Sequence, residues 1–306
     1  MDDAPVPPQA MISSVGWKKW LHVGGSALAL AGIVFVGFRL HSYWGSLDKS
    51  RLDAATLLAS IGLAFIYAVS NIFLALSWRE LLAHLQDPLN WQSSMKIYGV
   101  SQLARYLPGN IFHLAGRQAL GMSAGISPSA LAKSTVWELG LIAFAGALFS
   151  ALVLPVFWQG LPPTTALLLW AAIVAIAAIG LNKVWGRHIK AAFLLQVLFL
   201  AVSGLIFVFL LECLSGQSAR PALWVLAGGA YVVAWLAGLL TPGAPAGVGV
   251  REAVLLFMLR GCLPESDLLL AIIMARVVTV FGDLIFFFSV FFLIRNQTLL
   301  AKQCGM

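Results

Sequence analysis

Seven charged side chains stand where this sequence is otherwise apolar: Arg105, Arg117, Glu138, Arg251, Glu252, Arg276 and Asp283, with His113 between the first two. One charge at the centre of a membrane helix costs about 2.5–3.5 kcal/mol, so a set of this size must be compensated and is functional by default. The four arginines outnumber the three carboxylates. A guanidinium fork matches phosphate or carboxylate oxygens two at a time, which makes anion binding the chemistry these residues suit, with a lipid phosphate as the natural ligand. Arg105, Arg117, Arg251 and Arg276, with Tyr106 and Asn110, are the expected substrate contacts. Glu138, Glu252, His113 and Asp283 are expected to orient or neutralise the arginines or to carry protons. The competing reading is a set of structural ion pairs, Arg117 or Arg276 with Glu138 and Glu252 with its neighbour Arg251.

Two broken apolar segments must position these groups. Residues 91–120 carry Lys96, Arg105, His113 and Arg117 around Leu107-Pro108-Gly109-Asn110, and 241–260 opens with Thr241-Pro242-Gly243-Ala244-Pro245-Ala246-Gly247-Val248-Gly249. Proline removes a backbone donor and clashes with the preceding turn, so neither segment can be one regular helix. In hydrocarbon such breaks survive only where they pack in protein or line a wet cavity. Both are predicted to be re-entrant or discontinuous hairpins, turning at Pro108 and Gly109 and at Pro242, Gly243, Pro245, Gly247 and Gly249. Helix N-termini after the breaks would add backbone donors for an anion. Arg117 follows Pro108, and Arg251 follows Pro242, at the same spacing, and a long apolar helix bearing charge comes after each. Paired broken segments of this kind point to an internal repeat, of the inverted type found in transporters, with a site near the midplane.

Composition decides the surroundings. Of 306 residues 60% are hydrophobic and 10% charged, with mean hydropathy +0.92, against about 45–50% and about 25% in a soluble domain. This excludes an ordinary water-soluble fold and predicts an all-α polytopic membrane bundle. Uncharged or nearly uncharged runs at 21–38, 54–77, 139–158, 161–181, 192–211 and 221–240 are each long enough to cross. A seventh, 266–294, carries Arg276 and Asp283 and so must face protein or water on one side. One transmembrane domain over 17–298 is expected, between a disordered tail at 1–16 and a short tail at 299–306. The run after Lys18 and Lys19 is too long for a signal peptide and reads as a retained span.

The net charge of +7 is scattered around helix ends, which suits a positive-inside bias and anionic lipid better than nucleic acid. Lys183, Arg187 and Lys190 put the 182–190 connector in the cytoplasm and, counting back, the N-terminus with it. The expected location is a cell membrane, the inner one in a bacterium. Cys213, Cys262 and Cys304 have no metal or disulfide spacing. Trp17, Trp20, Trp44, Trp78, Trp91, Trp158, Trp185 and Trp224 fall near span ends, as interfacial belt residues should. No nucleophile elbow, clustered metal set, nucleotide loop or Asp-x-Asp motif nominates an enzyme, and no cofactor is expected.

At these same residues the sequence resembles the lysylphosphatidylglycerol synthase transmembrane region family, which includes the flippase half of multiple peptide resistance factor and stand-alone membrane proteins. The first signature matches Ser101, Leu103, Arg105, Tyr106, Leu107, Pro108, Gly109, Gly116 and Arg117; the second matches Pro245, Gly247, Val248, Gly249, Val250, Arg251 and Glu252. Glu138 and Arg276 match characteristic helix positions, and Ala246 departs from the second signature's usual glycine. The resemblance covers most of the chain. It implies transbilayer movement of a lipid, an aminoacylated phosphatidylglycerol in the type members, and in relatives without a synthase domain a link to envelope glycan or other lipid pathways. No aminoacyl-transferase domain follows the last span before Met306, so the lipid is expected to be made elsewhere.

The leading expectation is a lipid flippase acting on a phospholipid or a polyprenyl-phosphate-linked sugar through an arginine-lined cavity where the two hairpins meet. The alternative is a non-transporting scaffold that presents lipid to a glycosyltransferase or lipid-synthesising enzyme. An integral membrane enzyme ranks third.

Overall fold

A computed structural model describes residues 53–106, 112–158, 160–215, 221–241, 247 and 249–303. These residues form helices and connecting turns, with no strand among them. In chain order the helices are α1 Ala54–His84, α2 Trp91–Gln102, α3 Phe112–Ser123, α4 Pro128–Leu148, α5 Pro163–Trp185, α6 Arg187–Ser215, α7 Pro221–Leu240, α8 Val250–Met258 and α9 Glu265–Gln303. A 3-10 turn, Leu103–Tyr106, extends α2, and α4 runs on through a 3-10 stretch, Phe149–Val153, into one helical turn at Leu154–Phe157. The expected span at 21–38, the N-terminal tail, residues 304–306 and the turn residues Pro108, Gly109, Asn110, Pro242, Gly243 and Pro245 lie outside the described residues, whereas 299–303, expected in the C-terminal tail, continue α9 as helix.

Short polar residues start the helices where the sequence supplies them. Asp53 accepts from Thr56 N at 2.8 Å, Asn90 from Ser93 N at 2.7 Å and Ser127 from Ala130 N at 3.3 Å, each meeting a first-turn N–H that no helix carbonyl reaches. Ser127 is followed by Pro128, whose fixed φ suits the first helical position. That pair starts α4 eleven residues before the expected run at 139.

Six helices are long and apolar enough to cross a membrane: α1, α4, α5, α6, α7 and α9. Among the described residues the chain is therefore a multi-pass membrane bundle. By contrast α2 and α3 have 12 residues each and α8 has 9, which at 1.5 Å per residue is about 18 Å and about 14 Å. Neither length crosses a hydrocarbon core of about 30 Å, so the two broken segments do take the form of short helices ending inside the bundle.

The core is centred on α6, where Phe193, Phe199, Leu200, Phe207, Leu210 and Leu214 are all fully buried. Tyr67 of α1 meets the Phe199 ring at 5.8 Å, and Tyr231 of α7 stacks on Phe207 at 4.8 Å. Outside this layer α5 exposes Leu168, Ile176, Ile179 and Val184, an apolar surface that only lipid tails or another apolar partner can cover. Trp91, Trp158 and Trp185 are exposed near helix ends, as belt residues should be. Trp78 departs from that expectation: it is fully buried and donates from Nε1 to Ser134 Oγ at 3.2 Å. It stands within the last two turns of a helix that continues to His84, so the end of the apolar run is not the end of the packed helix.

The contact between α6 and α7 depends on a glycine pair. A Cβ on Gly204 would lie 2.9 Å from the Gly228 carbonyl oxygen, which is backbone and cannot swing aside. Gly204→Leu must push the helices apart, and overpacking of this kind costs about 1–3 kcal/mol. The variant is expected to melt at lower temperature than the wild type in detergent; an unchanged melting curve would mean that α6 and α7 are free to separate.

Candidate functional site

Charge pairing organises the interior. Arg117 on α3 pairs with Glu138 on α4 through Nη1 and Oε2, and both are buried. Tyr98 on α2 donates its hydroxyl to the other oxygen, Glu138 Oε1, at 3.0 Å. The Arg117 guanidinium lies 4.0 Å from the Tyr98 ring centroid and 5.6 Å from that of Trp78. Carboxylate, phenol and two aromatic rings thus surround this cation, and the arrangement holds α1, α2, α3 and α4 together.

On α9, Asp283 is 0% exposed. It pairs with Arg105 Nη1 at 3.3 Å and accepts from Asn71 Nδ2 at 3.0 Å, while Asn71 Oδ1 accepts from Gln102 at 3.1 Å. Arg276, two turns before Asp283, donates from Nε to Glu252 Oε1 at 2.8 Å. The other oxygen of Glu252 accepts from Gly249 N at 2.6 Å, capping its own helix.

Arg251 is the remaining embedded arginine. It is 6% exposed, and among the described residues it makes no ion pair. Its guanidinium stacks on Tyr231 at 4.2 Å, and its buried Nη2 has no hydrogen-bond partner among the described residues. Neighbouring side chains on a helix diverge by about 100°, so Glu252 reaches α9 while Arg251 reaches α7. The pairing of Arg251 with Glu252 suggested by adjacency is therefore replaced by one between Glu252 and Arg276. Arg276 correspondingly does not pair with Glu138.

A cavity of about 640 Å³, including its open mouth, lies where these groups converge. Arg105 and His113 line it from the first broken segment, Gly247 and Arg251 from the second, and Tyr67, Trp235 and Arg276 from the spanning helices. His113 Nδ1 is buried with no hydrogen-bond partner among the described residues. The spacing of the wall residues explains their convergence: Trp235 and Leu239 are one turn apart on α7, as are Arg276 and Val280 on α9. Close approach of α7 to the second break shapes one side. Gly247 has φ +70, and a Cβ there would sit 2.7 Å from Gly238 Cα. Only glycine combines that backbone with that proximity.

Of the expected substrate contacts, Arg105, Arg251 and Arg276 reach the cavity. Arg117 does not: Glu138 and Tyr98 occupy it, and it is absent from the cavity wall. The charge partners Glu138, Glu252 and Asp283 are each bound to an arginine. Asn110 lies outside the described residues, and Tyr106 ends the 3-10 turn that carries Arg105. Part of the donor set at the start of α8 is used by Glu252 rather than left for a ligand. Sequence reasoning missed Tyr67, Tyr231, Trp235 and Asn71. A usable signal was present in Asn71, a polar side chain within the apolar run 54–77.

The two halves share a motif in space. Arg117 stacks on Tyr98, 19 residues before it, and Arg251 stacks on Tyr231, 20 residues before it, each tyrosine belonging to the helix that precedes the break. The copies differ in charge, because Glu138 neutralises Arg117 and, among the described residues, no carboxylate neutralises Arg251. The chain matches no protein-family model and no curated protein.

Proposed function

We propose that the protein binds the phosphate of a membrane lipid in this cavity and moves it across the bilayer. The observation that carries the proposal is Arg251, a buried guanidinium that has, among the described residues, no ion pair and no hydrogen-bond partner for Nη2, in a cavity that two other arginines also line. An unneutralised cation inside a membrane protein is costly unless an anion completes it. In a low-dielectric site a phosphate oxygen facing Arg251 gains a charge-assisted bond, and Arg105 and Arg276 add to the field. The lipid tails would stay among the apolar surfaces outside the bundle while the head enters. This is also the activity that the two Pro-Gly signatures imply through the resemblance to the lysylphosphatidylglycerol synthase transmembrane region, and we extend that family assignment to the chain as part of the proposal.

Reconstitution tests it. Vesicles containing purified protein and a trace of headgroup-labelled phosphatidylglycerol are expected to expose inner-leaflet label to an outside quencher, and vesicles with folded Arg251→Ala are expected to behave like empty ones. Equal rates for wild type and Arg251→Ala, or no movement with folded wild-type protein under an imposed ion gradient, would overturn the proposal and favour a scaffold that presents lipid.

A further inference from the structure

The cavity has a second wall that carries no charge. Tyr67 on α1 and Trp235 on α7 both line it, and both rest on one ring, Phe199 of α6, at 5.8 Å and 6.5 Å between centroids. Phe199 is 1% exposed and Tyr67 3%, so the core fixes this wall from behind. The polar ends of the two side chains are uncommitted. Neither Tyr67 Oη nor Trp235 Nε1 has a hydrogen-bond partner among the described residues, and unlike Trp170 Nε1, which is sealed off, both atoms keep access to open space. A tyrosine or tryptophan packed inside a protein ordinarily partners its O–H or N–H, so two that lack a protein partner draw one from the cavity.

The position of Trp235 relates this wall to the arginines. Arg251 stacks on Tyr231 at 4.2 Å, and Trp235 follows Tyr231 by one turn on the same face of α7. One turn is about 5.4 Å along the helix axis. A phosphate held by Arg251 therefore brings the next few atoms of its head group alongside the indole. Guanidinium groups and an indole N–H only donate, whereas a phenol also accepts. A hydroxyl or carbonyl oxygen on the head group can accept from Trp235 Nε1 and share a hydrogen bond with Tyr67 Oη, while the ring faces cover the adjoining C–H surface.

We infer that Tyr67 and Trp235 form a head-group subsite that recognises an oxygen-bearing group bonded to the lipid phosphate. This rests on the reading of the cavity as a lipid-phosphate site and goes further by assigning the part of the lipid beyond the phosphate to two neutral side chains. Three sources supply the shared chemistry: the hydroxyls of a glycerol head, the ester of an aminoacylated head and the hydroxyls of a sugar on a polyprenyl phosphate.

The test titrates detergent-solubilised full-length protein with phosphatidylglycerol, lysylphosphatidylglycerol, a glucosyl polyprenyl phosphate and phosphatidylmethanol. The last keeps the phosphodiester and has no oxygen in its head beyond it. Wild-type protein is expected to bind the best of the first three about tenfold or more tighter than phosphatidylmethanol, since one hydrogen bond accounts for about threefold to tenfold. Tyr67→Phe removes one oxygen and leaves the ring on Phe199, and Trp235→Phe removes the N–H. With folding checked by melting curves, each is expected to narrow that margin about threefold or more. The tightest of the first three names the source. If phosphatidylmethanol binds as tightly as the best of the others, or if the margin is unchanged in either folded variant, the subsite is overturned while phosphate binding stands. If wild-type protein binds none of the four, the phosphate site itself fails and takes the subsite with it.

Discussion

Arg251→Ala is expected to weaken binding of a phosphodiester lipid by about tenfold to about a hundredfold while changing thermal stability little. The size follows from losing a hydrogen bond to a charged group, worth about 1.5–3 kcal/mol, at 1.4 kcal/mol per tenfold in affinity. The small stability effect follows from the surroundings, because Arg251 has no carboxylate partner among the described residues for its removal to strand. Its stacking on Tyr231 is lost, and so is a buried unpaired charge, two effects of opposite sign. Arg251→Lys keeps the charge and loses the planar fork, so its affinity should fall between the two. Titration of detergent-solubilised protein with labelled phosphatidylglycerol, alongside melting curves, measures both quantities. Unchanged affinity in Arg251→Ala would remove this residue from the site.

Glu138→Ala is expected to give the opposite pattern. It leaves Arg117 buried between aromatic rings with its ion-pair partner gone, a change that costs on the order of 3–5 kcal/mol. Tyr98 also loses its acceptor. A large drop in melting temperature and in yield is the expected outcome. Replacing both charges, Arg117→Met with Glu138→Leu, removes the stranded cation and should recover most of that loss. The double variant should also bind lipid with the wild-type affinity, since Arg117 does not line the cavity. A well-folded double variant that no longer binds lipid would show that Arg117 belongs to the site after all.

These contrasting expectations come from information that residue spacing does not contain. The all-α membrane class was legible from composition, and the two breaks from Pro-Gly runs in otherwise apolar segments. The list of embedded charges was legible too, because few side chains of that kind are tolerated in apolar helices. Which carboxylate meets which arginine was not, since Glu138 and Arg117 are 21 residues apart and Arg105 and Asp283 are 178 apart. Adjacency misled in one place: Arg251 and Glu252 are neighbours in the chain and diverge around the helix. The similarity of Arg117 and Arg251 at the level of motif likewise hid their difference, which depends on the presence of Glu138 beside one of them. Trp78 illustrates the same limit for depth, because a residue near the end of an apolar run lies in the core when the helix continues.

The division of labour between the halves follows from that difference. In the first, a neutralised arginine stacked on tyrosine anchors a short helix; in the second, the equivalent arginine has no carboxylate partner among the described residues, and the proposed function assigns its charge to a ligand. Arg105 connects them, since it lines the cavity on one side and holds Asp283 on the other. Through Asp283 it joins the network of Asn71 and Gln102 that ties α9 to α1 and α2.

The most direct measurement is an experimental structure of the protein in a lipid nanodisc containing phosphatidylglycerol. The account predicts a lipid phosphate in the cavity within about 2.7–2.9 Å of an Arg251 guanidinium nitrogen, with Glu138 still bound to Arg117. Phosphate bound at Arg117 with Glu138 displaced, or lipid found only on the outer surface of the bundle with Arg251 paired to a protein carboxylate, would contradict it.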